Sequence, residues 1–327
     1  MTDVSRHSML NLWGDHLFTS ISEIRALEAW SNQQSLRPLV HTIARFDERG
    51  QLSYEPSHDS QSGSCRTRIF WVPNTIGANA NTLDVAKIVL DRVIQESHLT
   101  ETFDFYTSSY AGVSQTGQEM SDSHSTQSTY CFSYHPKLAV SWHYDPLSGL
   151  TSAIVIATSM QLEKLNRIAD CTWQPWGHSM APAYLVACLL GAEVDEVHRD
   201  LKERIRQVEG QSKHHGFKSR PESAVLSGWG KLSAEMSGCE TKLAATSRKL
   251  KVMEHLLEFI QQCCEHNRHG NNASGSSEAM NIALECSVAN LQRFTKLRSV
   301  DNEYTLDRAR VQRSAVSSRL KTMQYAG

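Results

Sequence analysis

Apolar and polar positions alternate with a period of two through much of the first half of the chain and repeat with a period near 3.5 in its last third. Leu39-Val40-His41-Thr42-Ile43-Ala44-Arg45-Phe46 predicts a strand closed by the turn Asp47-Glu48-Arg49-Gly50, and Arg68-Ile69-Phe70-Trp71-Val72 predicts another that stops at Pro73-Asn74. Leu83, Val85, Ile88, Val89 and Val93 then take helical spacing behind Thr82, an N-cap residue type, and Phe103-Asp104-Phe105-Tyr106 predicts a further strand. The stretch GVSQTGQEMSDSHSTQST, residues 112–129, lacks apolar anchors and predicts a mobile loop. Leu138, Val140 and Trp142 alternate with Ala139, Ser141 and His143; Asp145-Pro146-Leu147-Ser148-Gly149 has turn chemistry; Thr151 to Ala157 is β-rich. That combination predicts a hairpin.

Beyond it the spacing becomes helical. Pro182 opens an apolar helix, Ala183 to Leu190, where its missing N–H costs little, and a charged helix from about Val194 to Val208 follows Gly191. Residues 210–223, GQSKHHGFKSRPES, read as a linker. Then Trp229, Leu232, Met236, Cys239, Leu243, Thr246, Leu250, Met253, Leu257, Ile260 and Cys264 fall at steps of three and four, a heptad seam over five repeats. HNRHGNNASGSS breaks this helix, and another follows from about Ser277 to Met323, with Leu284, Val288, Leu291 and Phe294 at its apolar start and Leu297, Tyr304 and Val311 on a sparser stripe. The predicted fold is α/β (α+β): a small mixed sheet flanked by helices, then a long antiparallel helical hairpin. Its segments are an N-terminal helical stretch, 1–36, a mixed domain, 37–209, the linker, and the hairpin, 224–323.

Composition narrows the function classes. Among 327 residues, 33 Lys and Arg against 35 Asp and Glu give a net charge of −2, so no global field draws nucleic acid or an anionic membrane. The N-terminus has no signal-peptide core, and no run reaches the roughly 18 apolar residues a membrane helix needs. The eight cysteines follow no framework spacing, which predicts reduced thiols and a cytoplasmic location. No Walker or dinucleotide glycine motif is present, nor a basic stripe with interleaved aromatics.

The strings YHPKLAVSWHYDPLSGLTSAIVIA, TWQPWGHSMAPAYLVACLLGAEVDEVHRDLKERIRQVEG and LSGWGKLSAEMSGCETKLAATSRKLKVMEHLLEFI, together with the helix order, resemble the cytosolic part of fungal CorA-like proteins. His178-Ser179-Met180-Ala181-Pro182 is similar, with one residue fewer between its ends, to a His-x-x-x-x-Pro element that opens a helix in that family, and the last helix looks like its stalk. The resemblance covers most of residues 37–323. It implies two membrane helices after the stalk and a Gly-Met-Asn signature; the sequence ends at Gly327 before either, and Ala279-Met280-Asn281 is a chance echo. Transport by these residues alone is therefore not expected.

Candidate chemistry sits in a few places. His143 and Asp145 share one strand face, so an Asp could orient a general-base His, with His178 as a further candidate; no nucleophile motif accompanies them, and the competing reading puts Trp142 in the core and Asp145 on a turn. Cys263, Cys264, His266 and His269 are metal donors by type, although Cys264 also completes the seam. The resemblance implies divalent-ion sensing through carboxylates, and Glu193, Asp195, Glu196, Asp200 and Glu203 could hold hydrated Mg2+ on one helix; a solvated helix face is the competing reading. The leading functional expectation is a non-catalytic CorA-like protein, without a resident cofactor, that self-associates along the heptad seam or binds a helical partner. The alternative is an enzyme or accessory protein of fungal metabolism with a site near His143 and Asp145.

Overall fold

The computed structural model describes residues 41–46, 52–56, 67–76, 81–83, 93–95, 97–99, 111–118, 127–134, 138–146, 148–171, 178–214, 228–270 and 275–326. The helical segment expected over 1–36, the strand at Phe103–Tyr106 and most of the linker lie outside them. The order of elements is β1 (His41–Phe46), β2 (Leu52–Pro56), β3 (Thr67–Ile76), β4 (Asn81–Leu83), β5 (Ala111–Gln118), β6 (Gln127–Tyr134), β7 (Leu138–Asp145), β8 (Leu150–Ala157), α1 (Ser159–Cys171), α2 (Ala181–Ser212), α3 (Trp229–Gly270) and α4 (Gly275–Ala326). The mixed α/β class read from the sequence is the class observed. The chain divides into two compact units, Met1–Leu189 with His255–Leu291, and Leu190–Glu254 with Gln292–Gly327, so α2, α3 and α4 each contribute to both.

In the first unit the strands form a mixed sheet in the order β2-β1-β3-β8-β7-β6-β5, with β4 paired to β3. β3 runs parallel to β1 and β8, while β5 to β8 form an antiparallel meander. Register explains why both faces are apolar. Phe70, Val72, Ala139, Ile154 and Ile156 join Val93, Ile94 and Leu99 in one core cluster. One residue out of phase, Trp142 is paired with Ala153 and Tyr130, and Tyr130 stacks on Trp142 with ring centroids 5.3 Å apart. A period of two cannot show burial on both faces; the continuous apolar runs can.

Pro73 does not end β3, which continues to Ile76 by pairing Asn74–Ile76 with β4; Thr82, the expected N-cap, lies inside β4. The polar stretch 112–129 is not a loop throughout, since most of β5 and the start of β6 occupy it. Its Ser, Thr and Gln residues gain ladder hydrogen bonds from β6 and β7, and tertiary pairing outweighs the weak local pattern. Helix α1 was not anticipated, although Thr158 and Gln161 form a reciprocal capping box: the Thr158 Oγ1 accepts from the Gln161 N–H at 3.4 Å and Gln161 Oε1 accepts from the Thr158 N–H at 3.2 Å.

The second unit is helical. Leu201, Ile205 and Val208 of α2 pack with Leu232, Met236, Cys239 and Leu243 of α3 and with Ala309 and Val316 of α4. Gly191 does not split α2 as expected; a Cβ there would stand 3.3 Å from Arg298 Nη1 and from Met253 Cε, so the glycine admits close neighbours within one continuous helix. Glu254 pairs with Ser299, Leu243 O with Asn302, Glu240 with Arg313 and Ser233 with Ser317, which makes α3 and α4 antiparallel as predicted. Against α2 the partner numbers rise together, from Asp195–Arg298 to Ser212–Gln312, so α2 and α4 run parallel.

Candidate functional site

His143 and Asp145 occupy the end of β7, and the hairpin explains both. His143 is buried between Thr129 and Ser152 on the neighbouring strands, with Nδ1 3.4 Å from Thr129 Oγ1 and its ring centroid 5.5 Å from that of His98. Burial pushes its pKa down, the His98 charge adds to that, and Asp145 opposes it. Asp145 Oδ2 accepts from Ser148 Oγ at 2.6 Å and from the Ser148 N–H at 3.3 Å, and its carbonyl accepts from the Gly149 N–H at 2.8 Å. Gly149 takes φ +66°, which a side chain would resist. The carboxylate thus holds the turn, while Trp142 is fully buried.

His178 is a cap with a fixed tautomer. The Met180 N–H donates to Nδ1 at 3.0 Å, so Nε2 carries the proton and donates to Asn281 Oδ1 at 2.9 Å. The amide of Asn281 in turn donates to the Cys264 carbonyl at 3.1 Å. Cys264 Sγ lies 4.0 Å from Nε2, giving the residue types of a thiol-protease triad without its geometry: the nitrogen near sulfur is the one bound to Asn281 and Nδ1 is taken by the Met180 N–H, so neither is placed to accept the thiol proton. Burial lowers the His178 pKa to about 4 against the opposing Asn281 hydrogen bond. Asn281, set aside in the sequence, is the residue that links this ring to the α3 backbone.

The acidic residues of α2 are not gathered around a common point. Glu193 accepts from Lys249 Nζ at 2.7 Å, and Asp195 receives Arg298 through two bonds of 2.8 and 2.7 Å. Asp200 stands beside Arg199, Glu203 beside Arg206, and Glu196 is exposed. Carboxylates already matched to fixed cations make poor magnesium ligands. His266 is exposed, Cys264 is buried in the seam, Cys263 has its thiol pushed up to about 11 by burial, and the side chain of His269 lies outside the described residues. Among the described residues no group of three or more His, Cys, Asp or Glu could hold a metal ion.

The helices carry the least expected arrangement. From Leu232 to Cys264 every seam residue of α3 is at most 5 % exposed, so the surface expected to drive self-association is already used inside the chain. On α4 one line of buried positions runs through Leu284, Val288, Leu291, Thr295, Arg298, Asn302, Thr305, Ala309, Gln312 and Val316, again at steps of three and four. In the second unit this line is mostly polar, and α2 meets it with polar groups. Arg298 pairs with Asp195, Asn302 Oδ1 accepts from His198 Nε2 at 2.8 Å, Arg308 beside the line binds Glu209, and Gln312 Oε1 accepts from Ser212 Oγ at 3.0 Å. Asp301 is held at about 2 chiefly by its hydrogen bond with His198, with Lys202 adding to it. Ala309 and Val316 stay inside, but four larger apolar side chains of the same stretch face outward: Leu297 is 61 %, Val300 66 %, Tyr304 53 % and Val311 54 % exposed. Leu297, Tyr304 and Val311, the sparser stripe expected inside the hairpin, face away from it, and the line buried in their place is polar and carries no hydrophobic signal.

Among the described residues no helix is long and apolar enough to cross a membrane. Neither a protein-family model nor a curated protein matches the sequence. Among solved structures the chain is similar to the ZntB cytoplasmic domain from Vibrio parahaemolyticus RIMD 2210633, with a TM-score of 0.45 and 8% identity, over 88% of this chain and 100% of that one. A likeness that distant bears on neither activity nor ligand.

Proposed function

We propose that this chain is a non-catalytic, CorA-like protein of the cytoplasm that acts through protein contacts made by the outer face of α4. One observation carries the reading: over residues 295–312 the helix buries Thr295, Arg298, Asn302, Thr305 and Gln312 and leaves Leu297, Val300, Tyr304 and Val311 in water. Exposed apolar residues scattered singly need no explanation, but four in heptad phase on one long helix form a stripe that a partner would cover. The engagement of Asp145 in a turn and of His178 in a cap supports the same reading, as does the sequence resemblance.

The test is a photo-crosslinking amino acid placed at Val300, compared with one at Lys251, which is also exposed. A discrete protein adduct, self or other, is expected from position 300 and not from position 251. Equal or absent labelling at the two positions would overturn the proposal.

A further inference from the structure

Resting on that reading of α4, we infer that the occupant of the stripe is a second copy of this chain, packed antiparallel about a two-fold axis between Leu297 and Val300. Leu297, Tyr304 and Val311 repeat at seven residues, Arg293, Val300 and Asp307 form the companion line, and Lys296, Glu303 and Arg310 flank it. All of these are exposed. Arg293, Lys296 and Glu303 have no hydrogen-bond or ion-pair partner among the described residues, so their charges are open to a neighbour.

Charge decides the direction of pairing. A parallel pair in register would set Arg293 against its own copy and Asp307 against its own copy along the seam, which like charges disfavour. Its flanking bonds would need Asp301 and Arg308, and both are engaged within the chain, Asp301 with Lys202 and Arg308 with Glu209. The antiparallel pair instead brings Leu297 onto Val300 of the second copy, Lys296 onto its Glu303, and Arg293 onto its Tyr304, each contact occurring twice by symmetry. The Tyr304 ring already carries the guanidinium of Arg308 at 5.7 Å from its centroid, so it is a face that suits a cation. A contact of this length falls below the roughly 1,200 Å² of the smallest stable interfaces, so the dimer is concentration-dependent, with Kd in the micromolar range.

A charge exchange tests both the partner and the direction. Sedimentation equilibrium would be run on the full chain and on Lys296→Glu, Glu303→Lys and the double variant; the sites are exposed, so folding is retained. Each single change is expected to weaken dimerisation about tenfold, and the double variant to return within about twofold of wild type. A double variant weaker than either single would replace the antiparallel pair with a parallel one. Wild type that stays monomeric into the millimolar range, or singles that change nothing, would overturn the second-copy inference. A position-300 adduct with another protein would then leave the contact reading standing, whereas no adduct there would remove both.

Discussion

Two heptad lines on adjacent helices meet opposite fates. On α3 the line from Leu232 to Cys264 is almost wholly apolar and no more than 5 % exposed. On α4 the buried line runs through Thr295, Arg298, Asn302, Thr305, Ala309 and Gln312, and Leu297, Val300, Tyr304 and Val311 of that stretch are more than half exposed. Seven-residue spacing therefore says that a stripe wants a neighbour without saying whether the neighbour is in the same chain. The polar line fixes which residues of α2 lie against α4, because Asp195, His198, Glu209 and Ser212 each meet a matched group. Buried polar groups at seam positions specify register at a cost in stability, which apolar side chains would not incur.

The polar line is the place to break that contrast most severely. Arg308→Met leaves Glu209, only 3 % exposed, without its guanidinium, and should cost about 4 kcal/mol in denaturant unfolding. On the apolar line, Leu243→Ala opens a cavity in the three-helix core and should cost about 3 kcal/mol in the same measurement. Leu297→Ala sharpens the comparison from the other side: the same truncation on the exposed stripe should change stability by less than about 0.5 kcal/mol.

The first unit adds a buried polar node with its own pH signature. His178 has a folded pKa of about 4, below the ordinary 6.5, so between these values unfolded chains take up a proton that folded chains refuse. Stability should be undiminished by this group above pH 6.5 and fall by up to on the order of 3 kcal/mol as pH drops to 4. His178→Asn should flatten that slope in urea titrations over this range. Asp301 acts in a lower window: its contribution is present above 3.8 and lost as pH falls to about 2.

What the sequence made legible follows from these physical differences. The β7–β8 hairpin was readable because Leu138 to Trp142 alternate and Asp145 and Gly149 are turn residues. The α3 seam was readable because its burial and its hydrophobicity coincide. β5 and β6 were not, since Ser, Thr and Gln gain their strand pairing only from long-range partners. The buried line of α4 was not either: Arg298 and Asn302 look like surface residues until Asp195 and His198, about a hundred positions earlier, are seen to satisfy them. Among the candidate site residues, hairpin chemistry correctly placed Asp145 on a turn, while the carboxylates of α2 could not be known to face Lys249 and Arg298.

The most direct test of the outward stripe is the mass of the full chain in solution by light scattering over a concentration series, set beside Val300→Asp. The account predicts that wild type rises from the mass of one chain toward that of two while Val300→Asp, equally folded by circular dichroism, stays at one. Identical mass curves for the two proteins would contradict it.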